Sequence, residues 1–337
     1  MRLNEGSPQM AVDWPALADV INSNQSFVLT SHIRPDCDAL GSELGMAGVL
    51  EAIGKDVIIV NGQRTPPNLA FIDPTERIKV VNEDISITEL SSRDVFMVLD
   101  TSAWAQLGPM GDALREFPGR KIVLDHHQSE DDLGTEFFKD TSAEAAGKLV
   151  FQFAEHLGVE LTESIARPLF AALSTDTGWF RFPSASSSTY NCAAALVAAG
   201  ASPSEIYAEL YERNTLGRVK LRGEVLSKIE ISNEGRVAFT HIRISDFEKT
   251  GAMPSDTEDL VNLCFTISGT EVAVIMVEQN PNVYKLSFRS RCELDCSEIA
   301  GHFGGGGHKA AAGAGIDGSF DEAKSTVLDA VCQRLHN

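Results

Sequence analysis

The chain lacks any apolar run near the roughly 20 residues needed to span a bilayer, so no membrane-spanning helix is expected. Its opening residues, Met1 to Ser7, contain no apolar core of the signal-peptide kind. A cytoplasmic location is therefore the expectation. Cysteine is sparse and scattered: Cys37, Cys192, Cys264, Cys292, Cys296 and Cys332, with no CxxC pair. That spacing argues against both a zinc ribbon and a disulfide framework. Positive charge is scarce too, with 28 Lys+Arg against 48 Asp+Glu and a net charge of -20. The first 214 residues carry 15 basic and 31 acidic groups, the remainder 13 and 17. Such a surface disfavours long nucleic acid held through its backbone. It permits a short nucleotide held in a local basic pocket.

What is present is an alternation of buried strands and helices. Ser26–Ser31, Asp56–Val60, Val95–Leu99 and Ile122–Leu124 read as strands. The continuous apolar runs among them suit strands buried on both faces. Ala39–Ile53, Ala143–Leu157, Ser164–Leu173 and Ser187–Ala199 have helical spacing. This alternation predicts a doubly wound α/β sheet. From about residue 201 the texture changes. Pro203–Arg213 and Leu216–Lys228 read as charged amphipathic helices forming a connector. Strand-like segments at 236–242, 271–279 and 284–290 follow, with helical stretches at 256–265, 297–302 and 321–335. These predict a second, smaller α/β domain. The expected boundaries are 1–200, 201–229 and 230–337.

Chemistry-bearing side chains cluster where apolar runs end. His32, Asp36 and Asp38 follow the first strand, and Asp38 could cap the helix after it. Cys37, between the two acids, reads as a packed small hydrophobe. Asp100 ends Val95–Leu99, and its two oxygens could each take a cation. Asp125, His126 and His127 follow Ile122–Leu124. Of two adjacent imidazoles, one can ligate while the other serves acid catalysis or phosphate contact. Asp176 ends another apolar stretch. Gathered at one sheet edge, these groups would repel each other without divalent cations, which would also make the site hydrolytic. Nitrogen and oxygen donors without thiolate suit Mn²⁺ or Mg²⁺, and the imidazoles favour Mn²⁺.

In the C-terminal part, Gly304–Gly307 allow close backbone approach to a phosphate, with His308 and Lys309 beside them. Arg289 and Arg291 fall on one face of a strand by alternation, and Arg suits bidentate phosphate contact. Arg34 adds a possible phosphate contact from the first loop.

In order, HIRPDCDALGS (32–42), VLDTS (98–102), VLDHH (123–127), STDTG (174–178) and GGGGHKAAAG (304–313) resemble the motifs of the DHH phosphoesterases, in their DHHA1 subgroup. The resemblance runs from about residue 15 to the C-terminus. Within that subgroup it looks like the nanoRNase/pAp-phosphatase type, two-domain enzymes that hydrolyse short oligonucleotides and 3′-phosphoadenosine 5′-phosphate (pAp). It implies a DHH catalytic domain with a mostly parallel sheet and a DHHA1 substrate-binding domain with a mixed sheet. It further implies two Mn²⁺ ions, one held by His32, Asp36 and Asp100, the other by Asp38, Asp100, His126 and Asp176. Asp125 then orients a histidine, and His127 contacts the scissile phosphate or protonates the leaving oxygen. Arg289, His308 and the glycines, including Gly305, Gly306 and Gly307, grip the terminal phosphate. A homodimer is also implied, with linear dinucleotides, longer short RNA or DNA, and pAp as substrates. A stand-alone cyclic-dinucleotide phosphodiesterase and a non-catalytic nucleotide sensor are the alternatives.

Overall fold

The computed structural model describes residues 12–335 except Ser129, and it does not describe the side chain of His308. The chain divides into two compact units, one ending at Glu212 and the other starting at Arg213.

In the first unit, six strands form one sheet: β1 (Ser26–Thr30), β2 (Asp56–Asn61), β3 (Ile78–Val80), β4 (Val95–Leu99), β5 (Arg120–Asp125) and β6 (Glu136–Lys139). Their order is β3-β2-β1-β4-β5-β6, and every adjacent pair is parallel. Alternate residues feed separate cores. Phe27, Leu29, Met97, Leu99, Ile122 and Leu124 enter one, and Val28, Phe96, Val98 and Val123 the other. Strands with apolar groups on both faces are the reason the sequence shows continuous runs rather than alternation. The strand order reverses between β1 and β4, so the loops after them diverge and leave a crevice at their carboxyl ends.

The helices of this unit are α1 (Trp14–Ser23), α2 (Cys37–Ala52), three short ones, α3 (Ile87–Leu90), α4 (Trp104–Leu107) and α5 (Pro109–Glu116), then α6 (Ala146–Leu157), α7 (Glu163–Asp176), α8 (Ser187–Ala198) and α9 (Pro203–Tyr211). Helix α2 is buried nearly all round. It lies antiparallel against α7: Gly41 faces Pro168 and Ala172, Gly45 faces Leu169, and Gly48 faces Ile165. A Cβ on Gly41 would stand 2.4 Å from the Pro168 carbonyl oxygen. Glycine is required there because the helix backbones touch. This close approach sets the N-terminus of α2 beside the C-terminus of α7, and so Asp38 near Asp176.

The second unit holds α10 (Leu216–Ser227), β7 (Glu230–Ser232), β8 (Val237–Ile242), α11 (Ile244–Thr250), β9 (Val272–Asn280), β10 (Val283–Ser290), α12 (Cys296–His302), β11 (Gly306–His308), β12 (Ala311–Asp317) and α13 (Phe320–Leu335). The sheet order is β11-β12-β10-β9-β8-β7, antiparallel except for the β8–β9 pair. It is the mixed sheet expected. Of the two helices read as a connector, α9 buries Ile206 in the first core, while α10 buries Leu221 and Val225 in the second unit.

Several local expectations are corrected. Strands β3, β6, β7, β11 and β12 were not foreseen. Most have only three or four residues, and β12 reads Ala-Ala-Gly-Ala-Gly-Ile-Asp, too small in side chain to show a period. The helix expected at 256–265 is instead two 3₁₀ segments, Pro254–Thr257 and Leu260–Thr266. Helix α6 starts three residues later than read, because Ala143–Ala145 are extended or turning backbone ahead of it. Among the described residues, no helix is long and apolar enough to cross a membrane. All six cysteines are free.

Candidate metal centre

The three loops at the carboxyl ends of β1, β4 and β5 converge with the end of α7. His32 leaves β1 and donates from Nδ1 to the carbonyl of Ile33 at 3.0 Å. A carbonyl only accepts, so the proton is on Nδ1 and Nε2 faces inward. There it lies 3.5 Å from Asp100 Oδ2 and 3.9 Å from Asp36 Oδ1. His126 is fixed in the same way: Nδ1 donates to the Ala143 carbonyl at 3.1 Å. Its Nε2 lies 3.3 Å from Asp100 Oδ1 and 3.7 Å from both Asp38 Oδ2 and Asp176 Oδ2. The two oxygens of Asp100 thus face two different donor sets. Asp100 itself has left-handed backbone, φ 59°, an uncommon conformation for a residue other than glycine and often found at functional sites.

The expected cap is corrected. Asp36, not Asp38, caps α2, accepting from the amides of Asp38 and Ala39 at 3.0 Å each. Asp38 points the other way, toward the N-terminus of α6. It accepts from the amides of Ala146 and Gly147 at 2.7 and 2.9 Å, so it caps α6. The reason is tertiary: the α6 N-terminus is packed against the first turn of α2, with Gly147 close to Asp38 and Ala172.

Asp125 is fully buried and bonded on both oxygens. Oδ1 accepts from the amides of His126 and His127 and from His127 Nδ1 at 2.8 Å. Oδ2 accepts from Ser102 Oγ at 2.7 Å and lies 3.3 Å from Lys139 Nζ. Asp125 thereby holds the His127 ring, leaving its Nε2 to face outward. Ser102 and Lys139 were not foreseen. Lys139 sits on a strand too short to read, and no local pattern links it to Asp125.

The electrostatics follow from crowding. Burial drives the Asp38 carboxyl well above the usual range, and the charges of Asp100 and Asp176 push the same way. Asp176 rises to about 6, through burial first and then Asp100 and Asp36. Burial opposes charge on His32 and His126, but the surrounding carboxylates prevail and raise them to about 9 and about 10. Burial also opposes ionisation of Asp125, yet the bonds from His127 and Ser102 bring it down to about 2. His127 is raised by its bond to Asp125.

Among the described residues, three overlapping groups have donor atoms within 4.8 Å of one another: His32, Asp36, Asp100; Asp38, His126, Asp176; and Asp100, His126, His127. Asp100 Oδ1 is buried without a well-oriented hydrogen-bond partner, although His126 Nε2 is near. An orphaned carboxylate oxygen among imidazole and carboxylate donors fits a hard or borderline divalent cation.

Comparison with known proteins decides the family. The DHH family N-terminal domain matches residues 26–173, and the DHHA1 domain matches 236–337. A "Bifunctional oligoribonuclease and PAP phosphatase NrnA" from Bacillus subtilis is 30% identical over 318 residues, 93% of this chain and 96% of that protein. A protein of the same description from Thermus thermophilus is 32% identical over 310 residues, 91% and 89% of the two chains. The chain belongs to the DHH family. It is a DHH-family phosphoesterase, as its motifs implied. The crystal structure of an exopolyphosphatase-related protein from Bacteroides fragilis superposes with a TM-score of 0.83 at 25% identity, covering 95% of both chains.

The remaining foreseen residues of this phosphoesterase are placed as follows. Arg34 has φ 54°, is exposed, and donates its amide to Gln63 Oε1. Arg289, the penultimate residue of β10, is half-buried and donates to the Phe288 carbonyl. Arg291 lies one residue past the strand end, and its guanidinium lies over the Phe265 ring at 4.1 Å. The glycine run is not a free loop. Gly306–His308 pair with β12, and a Cβ on Gly305 or Gly307 would collide with the backbone at Gly313 or Ala311. Those two glycines are required by strand contact before any ligand is considered. The His308 side chain lies outside the described residues. Cys37 is buried, and burial pushes its thiol up to about 12, so it is inert.

Proposed function

We propose that this chain is a two-cation phosphoesterase that hydrolyses short oligoribonucleotides to mononucleotides and removes a phosphate from pAp. The observation that carries it is the bridging posture of Asp100, with one oxygen toward His32 and Asp36 and the other toward His126. The names of the two relatives support the substrate class.

In this reading His32, Asp36 and Asp100 would hold one Mn²⁺, and Asp38, Asp100, His126 and Asp176 would hold the other; Mg²⁺ is the rival ion. When bound, the cations would supply Lewis acidity, lowering the pKa of water and neutralising charge on phosphoryl oxygens. The protein does the rest. The Ile33 and Ala143 carbonyls keep the His32 and His126 Nε2 atoms pointed inward. Asp125 holds His127 so that its Nε2 can give a proton to the leaving oxygen. Arg289, with His308 and the backbone at Gly305, Gly306 and Gly307, binds the terminal phosphate. Arg34 and Arg291 are weaker candidates for the same role, and Arg291 is already engaged by Phe265. The protein acts as a cytoplasmic homodimer, a state that light scattering would check.

The test is a Mn²⁺ time course on end-labelled RNAs from the dinucleotide upward, with pAp and cyclic dinucleotides alongside. Short linear RNA and pAp are expected to turn over. Cleavage of cyclic dinucleotides alone would favour the phosphodiesterase alternative, and no turnover of any substrate would favour a sensor. Asp100→Ala and His126→Ala should abolish hydrolysis in a folded protein; retained turnover in both would sink the two-cation reading.

A further inference from the structure

One short segment supports two members of the cluster through its backbone. The Ala143 carbonyl holds His126, and the Ala146 and Gly147 amides hold Asp38. Residues 143–147 read Ala-Glu-Ala-Ala-Gly, so Glu144 supplies the one polar side chain able to fix the segment. Glu144 is buried and pairs with Lys148, buried one turn later. Its other oxygen accepts from Ser186 Oγ at 3.1 Å and from Thr189 Oγ1, the N-cap and a first-turn residue of α8. Lys148 also donates to Ser188 Oγ at 2.9 Å. Burial opposes charge on Glu144, but the bonds from Lys148 and Thr189 hold its carboxyl below the usual range.

We infer that Glu144 is a positioning residue for the metal centre: by tying segment 143–147 to α8, it fixes where Asp38 and His126 present their donor atoms. It touches neither of them. The segment has no anchor of its own, since α6 begins without a side-chain cap from the residue before it. Its first turn is held by Asp38 on one side and by Glu144 on the other. If the Glu144 tie is cut, the segment can drift, and Asp38 and His126 lose their supports together. Groups behind metal ligands commonly change affinity roughly 10- to 100-fold when removed. This inference rests on reading the cluster as a divalent cation site.

The experiment is calorimetric titration of Mn²⁺ into metal-free protein, with thermal denaturation of each variant alongside. Glu144→Ala should weaken Mn²⁺ binding by roughly 10- to 100-fold and raise the Mn²⁺ needed for half-maximal activity by the same factor. Glu144→Gln keeps an acceptor for Ser186 and Thr189 and should recover part of the affinity. Asp73→Ala is the control. It removes a buried carboxylate that accepts from the Arg77 and Ile78 amides, away from the cluster, so it should lower Tm with Mn²⁺ affinity unmoved. Unmoved affinity in Glu144→Ala overturns the inference, and so does an equal loss in Asp73→Ala at matched Tm. Should Glu144→Ala not fold, Thr189→Val decides: at constant shape it deletes the hydroxyl that bonds Glu144 and accepts from the Ser186 amide, and unchanged affinity overturns the idea. Tight wild-type binding with unmoved variants defeats this inference alone, whereas no wild-type binding defeats the metal-centre reading as well.

Discussion

Titrating Mn²⁺ into the metal-free protein should release protons. The titrating proton of His32 and that of His126 each sit on Nε2, because Nδ1 is committed to a carbonyl. Each faces carboxylates, which raise the two imidazoles to about 9 and about 10. A cation needs the Nε2 lone pair, so it must expel that proton. At pH 7 both imidazoles are therefore mostly protonated, and the cation must displace those protons. Apparent affinity should therefore tighten about tenfold per pH unit for each histidine displaced, until pH nears its pKa. The same protons stabilise the metal-free fold. Because both values are raised, their contribution is full below about 6.5 and is lost as pH rises through about 9 to 10. The assay is calorimetry in two buffers of different protonation enthalpy, repeated at stepped pH, with Tm followed in parallel. The difference between buffers counts the protons, at least one for each cation bound, with Asp38 adding to the second. No proton release at pH 7, together with an affinity flat in pH, would refute the reasoning, since the imidazoles would then be neutral before the cation arrives.

Replacing His127 with Gln should lower kcat by about 10²- to 10⁴-fold, the usual range for a lost general acid, while Mn²⁺ affinity stays unchanged. A lost Mn²⁺ site in that variant would make His127 a ligand instead. Arg289→Ala should raise KM for substrates bearing a terminal phosphate by about 10-fold or more, as expected for a charge-assisted hydrogen bond worth about 1.5–3 kcal/mol. Equal effects on substrates without that phosphate would remove Arg289 from the role. Gly41→Ala puts a Cβ 2.4 Å from the Pro168 oxygen and 2.9 Å from the Ala172 Cβ, so α2 and α7 must separate. A cost of about 1–3 kcal/mol should lower Tm by about 2–10 °C in a unit of this size. Thermal denaturation showing no change would mean that the helices are not held at backbone contact.

The residues gathered in the candidate metal centre were legible because their signals are local. Each of Asp100, Asp125 and the His126-His127 pair follows a strand whose apolar run is unmistakable, and parallel sheets expose chemistry at such ends. Asp176 was legible as an acid after an apolar stretch, although it ends a helix rather than a strand. The supports behind these residues were not legible. Lys139, Ser102 and Glu144 lie on a four-residue strand, a loop and an extended lead-in. Each acts on a residue reached only through the fold.

The sequence by itself determined the alternation of strands and helices, the doubly wound sheet, and which acids and imidazoles stand at its working edge. These depend on periodicity and on residues adjacent in the chain. The tertiary structure decided what those residues face. Glycines 41, 45 and 48 bring α2 against α7, and that contact sets Asp38 beside Asp176. It also turns Asp38 onto the α6 amides instead of its own helix, and points the two oxygens of Asp100 at different imidazoles. It made the glycine run a paired strand rather than a loop. Backbone contact and side-chain direction between distant segments depend on how whole elements pack, and no local pattern encodes them.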